Sequence, residues 1–267
     1  MNSWLIFSLV GVFVGSLAGL FGIGGGLITV PITFFVLTQL GISDATAIVM
    51  AIKSSLAIII LTSTLSVYSH NQISRISWSI VKELGPGVLI GTVLGSFLST
   101  YLPPKVLEII FTLYVTAVSL KMWFGFSVEA NEDQKPSSML NYIVGAIIGI
   151  KSAVLGIGGG TISIPYLSWQ GVPIHKAVGV SACIGFIIAI SGTLTGLFQD
   201  TSGYTLPAQT IGFIYIPALI GVGMTGIIFT KIGSKLSYKL PQQKMRKGFA
   251  LFLMIIALKS ASRFLSL

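Results

Sequence analysis

Residues 22–26 read Gly-Ile-Gly-Gly-Gly, residues 156–160 read the same, and each copy begins nine residues ahead of a proline, Pro31 or Pro165. The flanks agree too: Ile28, Thr29 and Val30 answer to Ile162, Ser163 and Ile164. Residue 156 lies 134 positions after residue 22 in a chain of 267, so half the chain is duplicated onto the other half. Whatever the fold is, it has to be built twice.

The repeating unit is apolar. With 53% hydrophobic and 9% charged residues and a mean hydropathy of +0.93, the chain lacks the charged quarter that covers a soluble domain, so it belongs in a bilayer. The net charge of +9 does not call for a nucleic-acid partner. Six of the sixteen Lys and Arg residues fall between Lys231 and Lys247, in one loop between apolar segments. Cys183 is the single cysteine, which excludes a disulfide framework or a CxxC site. No cofactor or metal is expected, and the lipid bilayer is the expected partner.

Ten segments follow in order. Trp4–Phe21 breaks at the first glycine motif and continues as Leu27–Leu40; Ala45–Ser69, Trp78–Leu102 and Val106–Phe126 come next. A polar linker at 127–138 then leads into Met139–Leu155, the second glycine break, Ile162–Gln170, Ala177–Phe198, Gly212–Thr230 and Met245–Leu265. The expected fold is an all-α polytopic membrane protein of two inverted-topology repeats, 1–126 and 139–267. Each repeat holds a glycine-broken or re-entrant helix pair plus three transmembrane helices, giving eight to ten segments in all.

An odd number of spans per repeat turns the second copy upside down relative to the first. With the lysine-rich loop on the cytoplasmic side, the loops around 70–77, 127–138, 171–176 and 231–244 all become cytoplasmic and, with the residues flanking them, collect about ten of the sixteen basic residues. Inverted repeats with interrupted helices are the plan of secondary transporters, whose site forms near the midplane between repeats. Glycines expose backbone N–H groups there, and the short helices that follow present their positive ends, an arrangement suited to an anion.

The candidate substrate-binding residues are therefore Gly22, Gly24, Gly25, Gly26, Gly156, Gly158, Gly159 and Gly160, with Pro31 and Pro165 as structural companions. Lys53 and Lys151 join them. Lys53 stands nine residues after Asp44, about 13 Å into the bilayer at helical rise, where a charge is costly enough to mark a pathway or a paired site. Ser54, Thr161 and Ser181 complete the set as neutral hydrogen-bond donors. By contrast, Gly87, Gly91 and Gly95, like Gly145 and Gly149, have the four-residue spacing of helix-packing faces. His70 and His175 have no second ligand nearby.

The twin GIGGG motifs, each with its proline five residues on, the alanine-led helices at Ala47 and Ala177, and the polar mid-chain linker resemble the sulfite exporter TauE/SafE family, also called the 4-toluene sulfonate uptake permeases. The resemblance runs from about residue 4 to 265. It implies a non-enzymatic carrier of sulfite, thiosulfate or organosulfonates in the inner membrane of a prokaryote. Members often show a Thr-Ser pair where this chain has Ile48-Val49-Met50-Ala51, with Lys53 following.

No deep Asp or Glu is present to carry a coupling proton, which favours efflux or facilitated passage over proton-coupled import. Two other readings stay open. One is a sulfur-relay or thiol-dependent membrane protein using Cys183; the other is a proton-coupled importer of an organic acid, in which a lysine itself titrates.

Overall fold

The computed structural model describes residues 3–21, 25–73, 76–125, 137–236 and 242–265. These residues form α1 (Ser3–Phe21), α2 (Gly26–Gln39), α3 (Asp44–Ile73), α4 (Trp78–Tyr101), α5 (Pro104–Phe124), α6 (Ser138–Leu155), α7 (Gly160–Trp169) and α8 (Ile174–Leu197). A two-residue hairpin follows, β1 (Thr210–Ile211) with β2 (Ile214–Tyr215), and then α9 (Ile216–Leu236) and α10 (Gln242–Leu265). The chain is an all-α polytopic membrane protein. Among the described residues six helices, α3, α4, α5, α6, α8 and α9, are long and apolar enough to cross a bilayer.

Local chemistry sets the helix ends. Pro104 opens α5, where a missing N–H costs nothing, and Gly125 closes it in the left-handed conformation at φ 72°. Reading hydropathy alone starts the ninth segment at Gly212. In the structure residues 210–215 turn back as the hairpin, and the helix begins at Ile216 ahead of Pro217, a residue suited to a first turn. The predicted linker 127–138 lies outside the described residues except for Ser137 and Ser138.

The helices pair in a pattern that reads the same from either half. Helix α1 packs along α9 and α4 along α6; α3 meets α8, and α5 meets α10. Likewise α3 touches α9 as α8 touches α4, and α2 lies on α3 as α7 lies on α8. Exchanging the first five helices with the last five leaves the set unchanged. The two closest pairings run on glycine. A Cβ on Gly91 or Gly95 would stand 2.8 or 2.7 Å from the Cα of Ala146 or Ile150 on α6 and closer still to the carbonyl oxygen, and one on Gly15 would stand 2.7 Å from Gly226 Cα on α9. Contacts this close bring backbones together, the usual basis of helix association in lipid.

Asn141, at the start of α6, shows how the second broken pair is arranged. Its Oδ1 accepts from Tyr166 Oη at 2.6 Å and from Gln170 Nε2 at 3.1 Å, so the chain returns at the end of α7 to the level at which α6 began. At ten residues, or about 15 Å, α7 is too short to cross a bilayer. The pair is a hairpin whose outer ends meet. Asn141 Nδ2 also donates to Glu83 near the start of α4, and His70 and Ile76 lie beside Gly179 near the start of α8. The loops around 70–77, 127–138 and 171–176 therefore lead into helices that gather at one end of the bundle.

Candidate functional site

The two glycine motifs meet. A Cβ on Gly26 would stand 2.7 Å from Ile157 Cα and closer still to the Gly156 carbonyl oxygen, so only glycine permits this approach. Gly25, at φ 76°, precedes α2, and Gly156, at φ 65°, ends α6, both in the left-handed region that favours glycine. The helix starts match across the repeat. Thr29 Oγ1 donates to the Gly25 carbonyl at 3.2 Å, and Ser163 Oγ donates to the Gly159 carbonyl at 3.0 Å. Gly158, Gly159 and Gly160 are buried; Gly22 and Gly24 lie outside the described residues.

The contact itself is tight, and a cavity opens beside it. A cavity of about 440 Å³ lies between α5, α6 and α7, lined by Tyr114, Ala117, Val118 and Lys121 from α5, Lys151 from α6, and Thr161, Ile162, Pro165, Tyr166 and Trp169 from α7. Lys151 Nζ sits 3.8 Å over the centre of the Tyr114 ring, a cation–π contact worth about 0.5–2 kcal/mol depending on solvation. The Tyr114 hydroxyl is hydrogen-bonded to Thr161 Oγ1 in the first turn of α7. Lys121 and Tyr114 are seven residues apart on one helix, so the lining extends about 10 Å along α5. Two lysine side chains thus share a cavity that runs along α7 and includes Thr161 in its first turn. No carboxylate is among the lining residues. Such a surface attracts anions, and its aromatic and aliphatic walls suit an anion with an apolar body.

The remaining residues singled out from the sequence go elsewhere. Lys53 is fully buried and donates only to Ser96 and Ser99 on α4, not into this cavity. Ser54 Oγ accepts the Tyr215 amide at 2.9 Å and so holds the hairpin against α3. Ser55 Oγ donates to the Gly156 carbonyl at 2.6 Å. Ser181 is buried within α8, and Cys183 is buried in the apolar cluster with Val180 and Ile184. Pro31 sits inside α2, whereas Pro165 lines the cavity. Among the described residues no three His, Cys, Asp or Glu side chains come together.

Sequence reasoning passed over Tyr114, Lys121, Tyr166 and Trp169. The available signal was Lys121 itself, a further cation within an apolar segment.

The family profile for sulfite exporter TauE/SafE matches residues 7–260, nearly the whole chain. The chain belongs to the sulfite exporter TauE/SafE family. A relative from Haemophilus influenzae, described as "Probable membrane transporter protein", is 32% identical over 95% of this chain and 96% of its own. Relatives with the same description from Methanocaldococcus jannaschii (28% identical, covering 89% of this chain and 88% of the relative) and Bacillus subtilis (22%, 89% and 91%) align at similar extent. No solved structure matches. Membership in a family of membrane transporters agrees with the doubled motif, the polytopic helices and the cationic cavity.

Proposed function

We propose that this chain carries small sulfur-containing anions, sulfite, thiosulfate or organosulfonates, across the inner membrane of a prokaryotic cell, without chemical change to the substrate. The observation that carries the reading is the pairing of Lys121 and Lys151 in one cavity that has no acidic lining residue and abuts the start of α7. The anion binds there, near the midplane, beside the second glycine motif and the contact of Gly26 with Gly156. The exchange-symmetric helix pairings support two repeats, 1–126 and 139–267, of opposite orientation. The shared end of loops 70–77, 127–138 and 171–176 supports a common, cytoplasmic side, to which 231–244 is added by its charge.

Efflux or facilitated passage fits the energetics. An anion leaving a negative interior gains about 2.3 kcal/mol per charge per 100 mV, so no coupling ion is required. The test is thermal unfolding of the purified protein with sulfite, sulfate, thiosulfate, taurine and arylsulfonates. A ligand held by the native state raises the midpoint with concentration. Saturable stabilisation by at least one sulfur anion, lost on Lys151→Gln, is expected; no response to any of them would overturn the reading.

A further inference from the structure

The outer end of the α6–α7 hairpin is closed by polar side chains. Asn141 is buried, and both lone pairs of its Oδ1 are taken, by Tyr166 Oη at 2.6 Å and by Gln170 Nε2 at 3.1 Å. Its Nδ2 donates to Glu83 Oε2 at 2.6 Å. A carboxylate only accepts, so Glu83 turns the amide nitrogen toward α4 and leaves the oxygen for α7. One amide thus ties α4, α6 and α7 together.

The first half closes its hairpin differently. At the 134-residue offset that aligns the glycine motifs, Asn141, Tyr166 and Gln170 correspond to Phe7, Ile32 and Val36. All three belong to one apolar cluster, with Phe7 fully buried and edge-on to the Tyr215 ring at 5.9 Å. Parting that hairpin would expose apolar surface, whereas parting the second exchanges protein hydrogen bonds for bonds to water at a small net cost. Helix α7 is also the less anchored of the two short helices. Of its ten residues Gly160, Ser163 and Leu167 are buried, against nine of the fourteen in α2. Segments with little buried apolar surface open most readily.

The polar closure and the cavity share a side chain. Tyr166 lines the cavity with Trp169, the two rings 6.1 Å apart, and its hydroxyl is the donor to Asn141. We propose that Asn141 is the clasp of a gate: α7 is the element that swings, and release of Tyr166 and Gln170 opens the cavity toward the end of the bundle where α4, α6 and α8 begin. The α1–α2 hairpin stays shut. What passes the gate is the anion of the proposed function, so the inference rests on that reading, and the experiment separates the two.

In a Cys183→Ser background, Asn141→Cys and Gln170→Cys are joined with dibromobimane, whose short thioether bridge sulfite does not cleave. Flux of sulfite and of an arylsulfonate is then measured in proteoliposomes. Joining the two thiols abolishes flux, while joining Thr112→Cys to Ser260→Cys across α5 and α10 leaves it unchanged. Flux that survives the α6–α7 bridge overturns the gate, as does equal loss from both bridges. An unmutated protein that moves neither anion overturns the anion reading instead. Hydrogen exchange then decides the gate without any anion, and it also decides if the cysteine pair does not fold. Tyr166→Phe, which keeps the ring, and Asn141→Ala speed exchange of the amides at 164–170 roughly two- to tenfold, the population change of one lost hydrogen bond, and leave α2 as it was. Unchanged exchange of α7 in folded Tyr166→Phe overturns the gate, as does equal acceleration in α2.

Discussion

The Ser55 hydroxyl donates to the Gly156 carbonyl over 2.6 Å, and through that bond α3 of the first half grips the first glycine of the second motif. Its neighbours on α3 reach elsewhere, Ser54 to the Tyr215 amide and Lys53 to α4. Three consecutive side chains thus fix three other parts of the bundle.

Removing the Ser55 hydroxyl leaves a buried carbonyl without that donor, so Ser55→Ala lowers stability by about 1–3 kcal/mol. Gly26→Ala costs at least as much, since its methyl would press on Ile157 and on the Gly156 carbonyl, and overpacking of this kind is worth about 1–3 kcal/mol or more. Chemical or thermal unfolding in detergent measures both. A Gly26→Ala protein as stable as wild type would mean that the motifs do not touch.

Tyr114 links the cavity's cation to the start of α7, and a double-mutant cycle isolates that link. Tyr114→Phe and Thr161→Val each remove the same hydrogen bond while the ring stays under Lys151. Each single change should cost about 0.5–1.5 kcal/mol, and the pair should cost clearly less than their sum. Strict additivity in unfolding midpoints would rule the bond out.

Glycines of α4 and a glycine of α10 should behave oppositely. Gly91→Val drives a branched side chain into the Ala146 backbone and should abolish folded protein, read as the monodisperse fraction on size-exclusion chromatography. A Cβ on Gly248 would meet nothing within 4 Å, and the residue lies within a helix, so Gly248→Ala should be neutral or stabilise by up to about 1 kcal/mol.

Much of the architecture was legible in hydropathy and glycine spacing, because a bilayer forces its helices to declare themselves. The predicted segment Trp78–Leu102 and the helix Trp78–Tyr101 differ by one residue, and the spacing of Gly87, Gly91 and Gly95 announced a packing face that α6 occupies. The glycine duplication foretold the meeting of Gly26 with Gly156. The site was less legible. Lys53 was marked by its depth, yet its partners are neutral serines, which no charge pattern reveals. Lys121 and Lys151 belong to different halves of the chain and share a cavity only because α5 folds back beside α6 and α7, a long-range arrangement that local periodicity does not encode. Trp169 and Tyr166, read along the chain, are simply aromatic residues at a helix end.

Whether the two cavity lysines carry an anion is decided most directly by the flux of sulfite and of an arylsulfonate in proteoliposomes. Wild type is compared with Lys121→Gln, Lys151→Gln and the double variant, each confirmed folded. The wild type should move at least one of these anions saturably. Each single variant should weaken apparent affinity roughly tenfold, equivalent to about 1.4 kcal/mol, and the double variant should abolish saturable flux. Wild-type flux retained by the folded double variant would contradict the site.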